Sequence, residues 1–172
     1  MKIGTIRRID DLGRIVLPKG IRQNLRIKSG DNLEIFIENN DIILRKYSQL
    51  NQLIDIENTI ASVLKETLKA DVLITDKDKY IIINGIAKQK YLNREISDEI
   101  LKILENRQMI IKENESILFT KNEKESGNIV INPIIINGDV IGSIIVITKE
   151  KIDESKIKTI SILTTFLTKH IE

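Results

Sequence analysis

Apolar and polar residues alternate in short runs along the first 47 residues, with the two-residue period that is typical of β-strands. Pro18 ends one of these runs, and the residues after it have helical spacing. The pattern therefore predicts a strand pair, a short helix at 19–25 and a second strand pair. The four strands are expected at 5–9, 14–17, 32–38 and 41–47.

Both strand pairs are joined by sequences that favour tight turns. Asp10-Asp11-Leu12-Gly13 links the first pair, and Gly13 can adopt the positive φ that such a turn requires. Asn39-Asn40 links the second pair, and asparagine tolerates the left-handed conformation of a two-residue hairpin loop. Residues 1–47 are therefore expected to form a small, β-rich domain.

A domain of this size cannot bury enough apolar surface to be stable by itself. Folded units below about 50 residues usually depend on disulfides, metals or association. The chain contains no cysteine, which excludes disulfides, a thiol nucleophile and a cysteine-based zinc site. Association is the remaining solution, so residues 1–47 are predicted to form an obligate dimer with interleaved arms.

A longer helical pattern follows at 50–69. Its apolar residues Leu53, Ile56, Ile60 and Val63 are spaced 3-4-3, as in a heptad repeat. A helix of this length would pair only marginally without help from its flanking domains. Two hypotheses therefore stay open for a linker at 48–69. The helix either packs only on the core of its own chain, or it is an oligomerisation helix that also pairs with its copy.

Residues 70–172 alternate between strand-like and helix-like patterns. Strands are predicted at 71–76, 79–84, 108–112, 116–120, 129–136 and 139–148, helices at 92–105 and 153–171, and a polar loop at 121–128. Asn137-Gly138 is a strong hairpin signal between the last two strands. The order of elements predicts an α+β domain with helices packed on an antiparallel sheet. The most apolar stretch, 129–147, is interrupted by turn residues and cannot be a membrane span.

The charged residues are distributed unevenly along the chain. The first 28 residues carry eight Lys or Arg and two Asp, a net charge of +6, whereas the other 144 carry 19 basic and 23 acidic residues. Such a basic segment is typical of a nucleic-acid-binding module. Lys19, Arg22 and Arg26 are expected on one helix face, because they are spaced i, i+3 and i+7. Asp10 and Asp11 are expected to hold the loop and its arginines rather than to perform acid–base chemistry.

Residues 6–47 combine two arginines, an acidic pair, Leu-Gly-Arg, an apolar triplet with Pro, a basic helix and Gly-Asp-x-Leu-Glu-Ile. This pattern resembles the DNA-binding domain of AbrB-type transition-state regulators, among them sporulation regulators with a C-terminal GAF-like domain. The resemblance implies a swapped-hairpin dimer at 1–47 and a GAF-like domain at 70–172. The expected DNA contacts are Arg7, Arg8, Arg14, Lys19, Arg22 and Arg26. Relatives commonly have two adjacent arginines in the short helix, where this chain has Arg22-Gln23.

The sequence therefore predicts a DNA-binding transcription regulator of sporulation genes, active as a dimer or tetramer without a cofactor or metal. The first residues contain no apolar signal segment, which favours the cytoplasm. The predicted partners are double-stranded DNA, further copies of the chain and, through a GAF-like pocket that the sequence does not locate, a small-molecule effector.

Nothing in the sequence indicates an enzyme. The chain has no Walker loop, G-x-S-x-G or H-E-x-x-H motif, and its single histidine, His170, suits a helix C-terminus. Two alternatives to the DNA-binding regulator stay open. One is an antitoxin-like DNA-binding partner of a toxin, and the other is a small-molecule sensor or scaffold that does not bind DNA.

Overall fold

The computed structural model describes residues 5–48, 50, 54–85 and 88–171. The chain divides into two compact units, Met1–Tyr47 and Ser48–Glu172, which are called the N-terminal unit and the C-terminal unit below. Each unit is described by itself.

Over residues 5–47, the N-terminal unit contains one short helix and one hairpin: α1 (Lys19–Asn24), β1 (Leu33–Glu38) and β2 (Asp41–Lys46). Asn39 and Asn40 form the hairpin loop, with φ angles of 48° and 69°. Two successive left-handed residues give a turn whose twist matches that of the paired strands, which explains why asparagine stands at both positions. The predicted hairpin and short helix are therefore confirmed.

The predicted strands at 5–9 and 14–17 are not strands in this structure, although the turn between them forms. The Asp10 backbone N–H donates to the Arg14 carbonyl oxygen at 3.1 Å, and the Gly13 N–H donates to the Asp10 carbonyl oxygen at 2.9 Å. A strand needs a neighbour for its backbone N–H and C=O groups. In the described part of the N-terminal unit, the only sheet is the two-stranded β1–β2 hairpin, and neither segment pairs with it.

The C-terminal unit is built on a five-stranded sheet in the order β4-β3-β7-β6-β5, with every neighbouring pair antiparallel. Its elements are α2 (Ile54–Leu68), β3 (Asp71–Asp76), β4 (Tyr80–Asn84), α3 (Lys88–Tyr91), α4 (Asp98–Glu105), β5 (Ile110–Leu118), β6 (Lys124–Ile136), β7 (Asp139–Thr148) and α5 (Glu154–Ile171). The β6–β7 hairpin turns at Asn137-Gly138, as predicted, with φ angles of 50° and 83°.

Three of the predictions for this unit are wrong in the extent of an element. The helix expected at 92–105 begins only at Asp98, because the Ser97 hydroxyl caps it by accepting from the Ile100 N–H at 3.1 Å. The loop expected at 121–128 is largely strand, since β6 begins at Lys124. Its polar residues pair with β5, which continues from Ile110 through a bulge as one strand instead of two short ones. An edge hairpin with one solvated face accepts such polar residues.

Apolar cores cover both faces of the sheet. On one face α2 and α5 pack against the strands through residues such as Leu64, Ile144 and Ile160. On the other face α4 packs with an aromatic cluster made of Tyr80, Tyr91 and Phe119, which are all fully buried. The Tyr80 hydroxyl donates to the Phe119 carbonyl oxygen at 2.8 Å and the Tyr91 hydroxyl donates to the Glu125 carboxylate, so the cluster buries no unpaired phenol. Among the described helices, none is long and apolar enough to span a bilayer.

Candidate nucleic-acid interface

The turn at 10–14 is held together by the carboxylate of Asp10. One oxygen of this carboxylate accepts from the backbone N–H groups of Leu12 at 3.0 Å and Arg14 at 2.8 Å. The other accepts from the Arg14 Nε at 2.8 Å. The hydrogen bonds from Arg14, backbone first, lower the pKa of Asp10 below its usual value. Asp10 thus has the predicted role of holding the loop and its arginine.

Arg14 combines a fixed orientation with high exposure. Asp10 engages only the Nε edge of the guanidinium, and the side chain remains 71% exposed. A guanidinium has five donors in a planar fork, so one held edge leaves further N–H groups for a phosphate or a base acceptor. The positive φ of Gly13, 74°, places this arginine directly after a tight turn.

Two of the three basic residues predicted on one helix face lie in α1. Lys19 begins the helix, and Arg22 follows one turn later with its Nε donating to the Leu17 carbonyl oxygen at 3.2 Å. Arg26 lies beyond the end of the helix with a φ of 51°, so the expected i, i+7 position on the helix face is wrong.

Arg26 occupies the position at which helices commonly place glycine. The Ile27 N–H donates to the Arg22 carbonyl oxygen at 2.7 Å, and the Arg26 N–H donates to the Gln23 carbonyl oxygen at 3.1 Å. This pair of bonds is the Schellman motif, whose left-handed residue is usually glycine because a Cβ costs about 1 kcal/mol there. Arg26 is half-buried, and its backbone carbonyl accepts from Lys46 Nζ at 3.1 Å.

Arg7 and Arg8 lie in the segment before the turn and are exposed. The Arg7 Nη1 donates to the neighbouring Ile6 carbonyl oxygen at 3.3 Å. With Arg14, Lys19 and Arg22, these two arginines give the N-terminal unit five exposed cations from the predicted set, and Arg26 adds a half-buried sixth.

Two contacts that stabilise this unit were not foreseen. Lys46 Nζ forms an ion pair with Asp31 at 3.2 Å, which ties the end of β2 to the turn before β1. The Arg45 guanidinium lies 5.1 Å from the centre of the Phe36 ring. The contact between Arg45 and Phe36 could have been predicted from the register of the hairpin. Phe36 pairs with Ile43, and Arg45 lies two residues further along the same face.

The hairpin also exposes an apolar surface. Ile35 and Leu44 pair directly across the strands, as do Ile37 and Ile42, and the members of directly opposed pairs lie on one face. Ile37 is 84% exposed and Ile42 is 71% exposed. Isolated exposed isoleucines are common in soluble proteins, but a contiguous apolar face of this kind marks an interaction surface.

The predicted oligomerisation residues behave differently from one another. Leu53 lies outside the described residues. Ile60 is buried in the core of its own unit, and Ile56 is half-buried against that core. Val63 is 42% exposed. The helix α2 therefore docks on its own sheet, and pairing with a copy stays a prediction for which Val63 and part of Ile56 remain accessible.

His170 lies in the last turn of α5, with its ring centre 5.1 Å from that of Phe166. A cation is favourable at this end of a helix. Over the part of the chain that the structure describes, there is no group of three or more His, Cys, Asp or Glu side chains that could hold a metal ion.

Solved structures similar to this chain carry the GAF fold. The GAF domain of an Acinetobacter phosphoenolpyruvate-protein phosphotransferase matches with a TM-score of 0.57 and 15% identity, over 72% of this chain and 90% of that one. Residues 122 to 287 of a methyl-accepting chemotaxis protein match with a TM-score of 0.56 and 16% identity, over 72% and 92%. A type II free methionine-R-sulfoxide reductase from Thermoplasma acidophilum matches with a TM-score of 0.55 and 14% identity, over 72% and 95%. Identities this low establish the fold alone.

Sequence comparison finds a matching family for each of the two units. Residues 6–51 match the family described as "Antidote-toxin recognition MazE, bacterial antitoxin". A segment of 45 residues is 47% identical to the putative transition state regulator Abh of Bacillus subtilis, over 26% of this chain and 49% of that protein. Residues 52–172 match the family described as "Stage V sporulation protein T C-terminal, transcription factor". The expected fold class, an AbrB-like N-terminal domain followed by a GAF-like α+β domain, is therefore confirmed.

The two units together define a chain of the transcription-factor class, with an AbrB-like and a GAF-like domain. Stage V sporulation protein T of Bacillus subtilis is 36% identical over 173 aligned positions, which cover 98% of this chain and 97% of that protein. The chain belongs to the stage V sporulation protein T family.

Proposed function

We propose that this chain is a DNA-binding transcription regulator of sporulation genes, and that the N-terminal unit contacts DNA as a swapped-hairpin dimer. The observation that supports the proposal is that the N-terminal unit is basic and that a single chain does not complete its β-structure. The segments 5–9 and 14–17 have the alternation of strands but no pairing partner within the described chain. The curated relatives, which include transition state regulators and a sporulation protein, support the same function.

A second copy would supply what the single N-terminal unit lacks. In the proposed dimer, the strand-forming segments of one chain pair with those of the other, and the Ile37 and Ile42 face is covered. Burying an exposed isoleucine side chain contributes about 1.5–3 kcal/mol. A few such residues per chain therefore provide stabilisation on the scale of a small domain's total stability.

Dimerisation also doubles the charge that faces DNA. Arg14 is proposed to fork onto a phosphate or base edge, and Lys19 and Arg22 to follow the phosphate backbone from one helix face. Arg7, Arg8 and Arg26 are proposed to complete the contact surface. Few amide side chains accompany these cations, so recognition is expected to depend strongly on DNA shape and deformability. Gln23 removes one positive charge per chain relative to the Arg-Arg pair of relatives.

The decisive test is DNA binding by the full-length protein at two salt concentrations. Counterion release predicts that the logarithm of the affinity falls by roughly 0.9 per neutralised phosphate for each tenfold rise in salt. A steep fall supports phosphate contact by the basic unit. Absence of binding, or binding that ignores salt, would favour a sensor or scaffold that does not use DNA.

An antitoxin remains the second candidate, because the family matched by residues 6–51 is described by toxin recognition. The match at 52–172 favours the regulator, since that family is described as a transcription factor. Antitoxins of this type usually end in a short tail that wraps the toxin, whereas here a folded GAF-like unit follows.

The C-terminal unit is proposed to serve assembly, as a dimer or a tetramer in the cytoplasm, rather than to hold a permanently bound effector. Tyr80, Tyr91 and Phe119 fill the face between the sheet and α4, with ring centres 5.4–6.2 Å apart. A ligand in that core would first have to displace an aromatic ring. The reductase with a similar fold implies no catalytic activity for this chain, because it shares 14% identity.

A further inference from the structure

Glu57 is a buried carboxyl group without a visible partner. The residue lies in α2 with 0% of its surface exposed. Neither carboxylate oxygen has a hydrogen-bond partner among the described groups. An ionised carboxylate in this environment would be strongly unfavourable, because it loses its hydration and gains no compensating bond.

The charges and surfaces around Glu57 favour its neutral form. From β3, the Asp76 carboxylate acts on it with the same sign of charge. The buried residues that β4, β7 and α5 contribute on this face carry no charge. Ile82, Ile141, Ile144, Ile160 and Leu167 are apolar, and the Thr164 hydroxyl donates to the Ile160 carbonyl oxygen at 2.8 Å. Burial, followed by repulsion from Asp76, raises the pKa of Glu57 to about 8.

A second feature anchors the same end of α2. Leu50 precedes the helix and is completely buried. It lies against the bare backbone at Gly142, where an added Cβ would overlap the Thr75 carbonyl oxygen and the Leu50 Cδ1 atom. Gly142 pairs directly with Asp76 across β3 and β7, so the slot for Leu50 adjoins the carboxylate that acts on Glu57.

We propose that the beginning of α2 is a proton-operated clamp, in which neutral Glu57 keeps the helix and Leu50 docked on the sheet and ionised Glu57 releases them. An ionised carboxylate regains water only if the first turns of α2 move away from the core. Leu50 then leaves the Gly142 slot, since it is joined to the same segment.

Release would change the connection between the two units. Only Tyr47, Ser48 and Gln49 separate Leu50 from the last residue of β2. When Leu50 and the first turns of α2 undock, the residues of this segment are added to the tether. A longer flexible tether lowers the effective concentration at which linked binding modules meet a common target. The clamp is thus a means by which pH alters how the units cooperate.

The expected pH dependence follows from the two states of Glu57. In the docked state the pKa is about 8, and in the released state it returns to its ordinary value of 4.5. Between these values the released state has lost its proton while the docked state retains it. The equilibrium constant for release therefore rises with pH, by about fifty-fold between pH 6 and 8, and levels off above pH 8.

Hydrogen exchange of the full-length protein between pH 6 and 9, corrected for intrinsic exchange rates, tests the clamp. Amides of residues 58–60, the first that α2 itself can hydrogen-bond, should lose protection as pH rises, whereas those in the middle of α5 should keep it. The Glu57→Gln variant should abolish the pH dependence at 58–60. Glu66→Gln is the matched control, because Glu66 lies exposed in the same helix and should change nothing.

Three results would overturn the clamp: constant protection at 58–60, equal loss of protection in α5, or the same pH dependence in Glu57→Gln as in the unaltered chain. If Glu57→Gln does not fold, carbon NMR of the unaltered protein gives the answer directly. The Glu57 carboxyl carbon should titrate near pH 8, and titration near 4.5 would refute the proposal. None of these measurements requires DNA, so they are independent of the proposed function.

Discussion

The two units of this chain differ most clearly in what they bury. Every buried side chain among the described residues belongs to the C-terminal unit, which has a core on each face of its sheet. In the described residues of the N-terminal unit, no side chain is buried, and isoleucines such as Ile6 are almost wholly exposed. The C-terminal unit is therefore complete within one chain. The N-terminal unit has the hydrophobic pattern of a folded domain, but its own chain does not cover its apolar side chains.

This difference shows how a short segment can specify a fold that it cannot form alone. The hairpin and α1 depend on local signals, and both are present in the single chain. The segments 5–9 and 14–17 depend on a partner strand, and they stay unpaired. The stability of the N-terminal unit should thus depend more strongly on protein concentration than that of the C-terminal unit, which has a core of its own.

The largest effect is expected from placing charge on the exposed hairpin face. The double substitution Ile37→Glu and Ile42→Glu should prevent dimerisation of the N-terminal unit, because four like charges would meet in the covered interface. DNA binding should fall by more than about 100-fold, since the contacts of two units would no longer act together. The C-terminal unit should remain folded. NMR spectra of the full-length variant check the dimerisation of residues 1–47 and the fold of the C-terminal unit, and gel shifts check DNA binding. A variant that still dimerises through residues 1–47 would contradict the prediction.

Arg14→Ala should weaken DNA binding by about 10- to 100-fold and leave the oligomer intact. The estimate rests on about 1.5–3 kcal/mol for a hydrogen bond to a charged group. The slope of affinity against salt should also become shallower. Lys121→Ala in the C-terminal unit is the control, because Lys121 is exposed and lies outside the proposed interface. Equal affinity of Arg14→Ala and the unaltered chain would remove the 10–14 turn from the interface.

Gly142→Ala should destabilise only the C-terminal unit. The new methyl group would overlap the Thr75 carbonyl oxygen and Leu50, so the strand or the Leu50 segment must shift. Such overpacking costs about 1–3 kcal/mol. Urea unfolding monitored by the resolved NMR signals of Tyr80 and Tyr91 reports on this unit, since both residues lie in its core. A comparable loss of stability in the N-terminal hairpin would show that the units are less independent than proposed.

The smallest effect is expected at Arg26, and it has opposite signs for stability and binding. Arg26→Gly should stabilise the N-terminal unit by about 1 kcal/mol, because glycine adopts the left-handed conformation without strain. The same change should weaken DNA binding several-fold, since it removes a cation. Arg26→Ala separates the two causes, because alanine loses the charge but keeps the strain. Denaturant midpoints and gel shifts of both variants provide the comparison, and tighter DNA binding by Arg26→Gly would exclude Arg26 from the interface.

Elements with strong local signals were predictable from the sequence. Asn39-Asn40 and Asn137-Gly138 marked two hairpins, and the spacing of apolar residues placed α5 within a residue of its true start. The loop predicted at 121–128 failed because an edge strand can be polar on its exposed face, so composition alone does not identify it. The segments 5–9 and 14–17 failed for another reason: strand pairing is not a property of the segment itself.

The candidate site could be predicted only as far as charge allowed. The basic residues were evident from composition, but the position of Arg26 was not, because arginine replaces the glycine that usually signals a helix end. The burial of Glu57 could have been expected from its position in the helix, although a charged residue is not normally assigned to a buried face. Glu57 precedes Ala61, Leu64 and Leu68 at spacings of 4, 3 and 4, which is the spacing of the buried face of α2.

The unpaired segments at the N-terminus have a consequence for genetics. In the proposed dimer each chain completes the fold of the other, so a chain with defective arginines would still dimerise and would occupy intact partners. With equal amounts of both chains and random pairing, only about a quarter of the dimers would carry two intact basic surfaces. Substitutions at Arg14, which leave the dimer intact, are thus expected to be dominant over the unaltered chain.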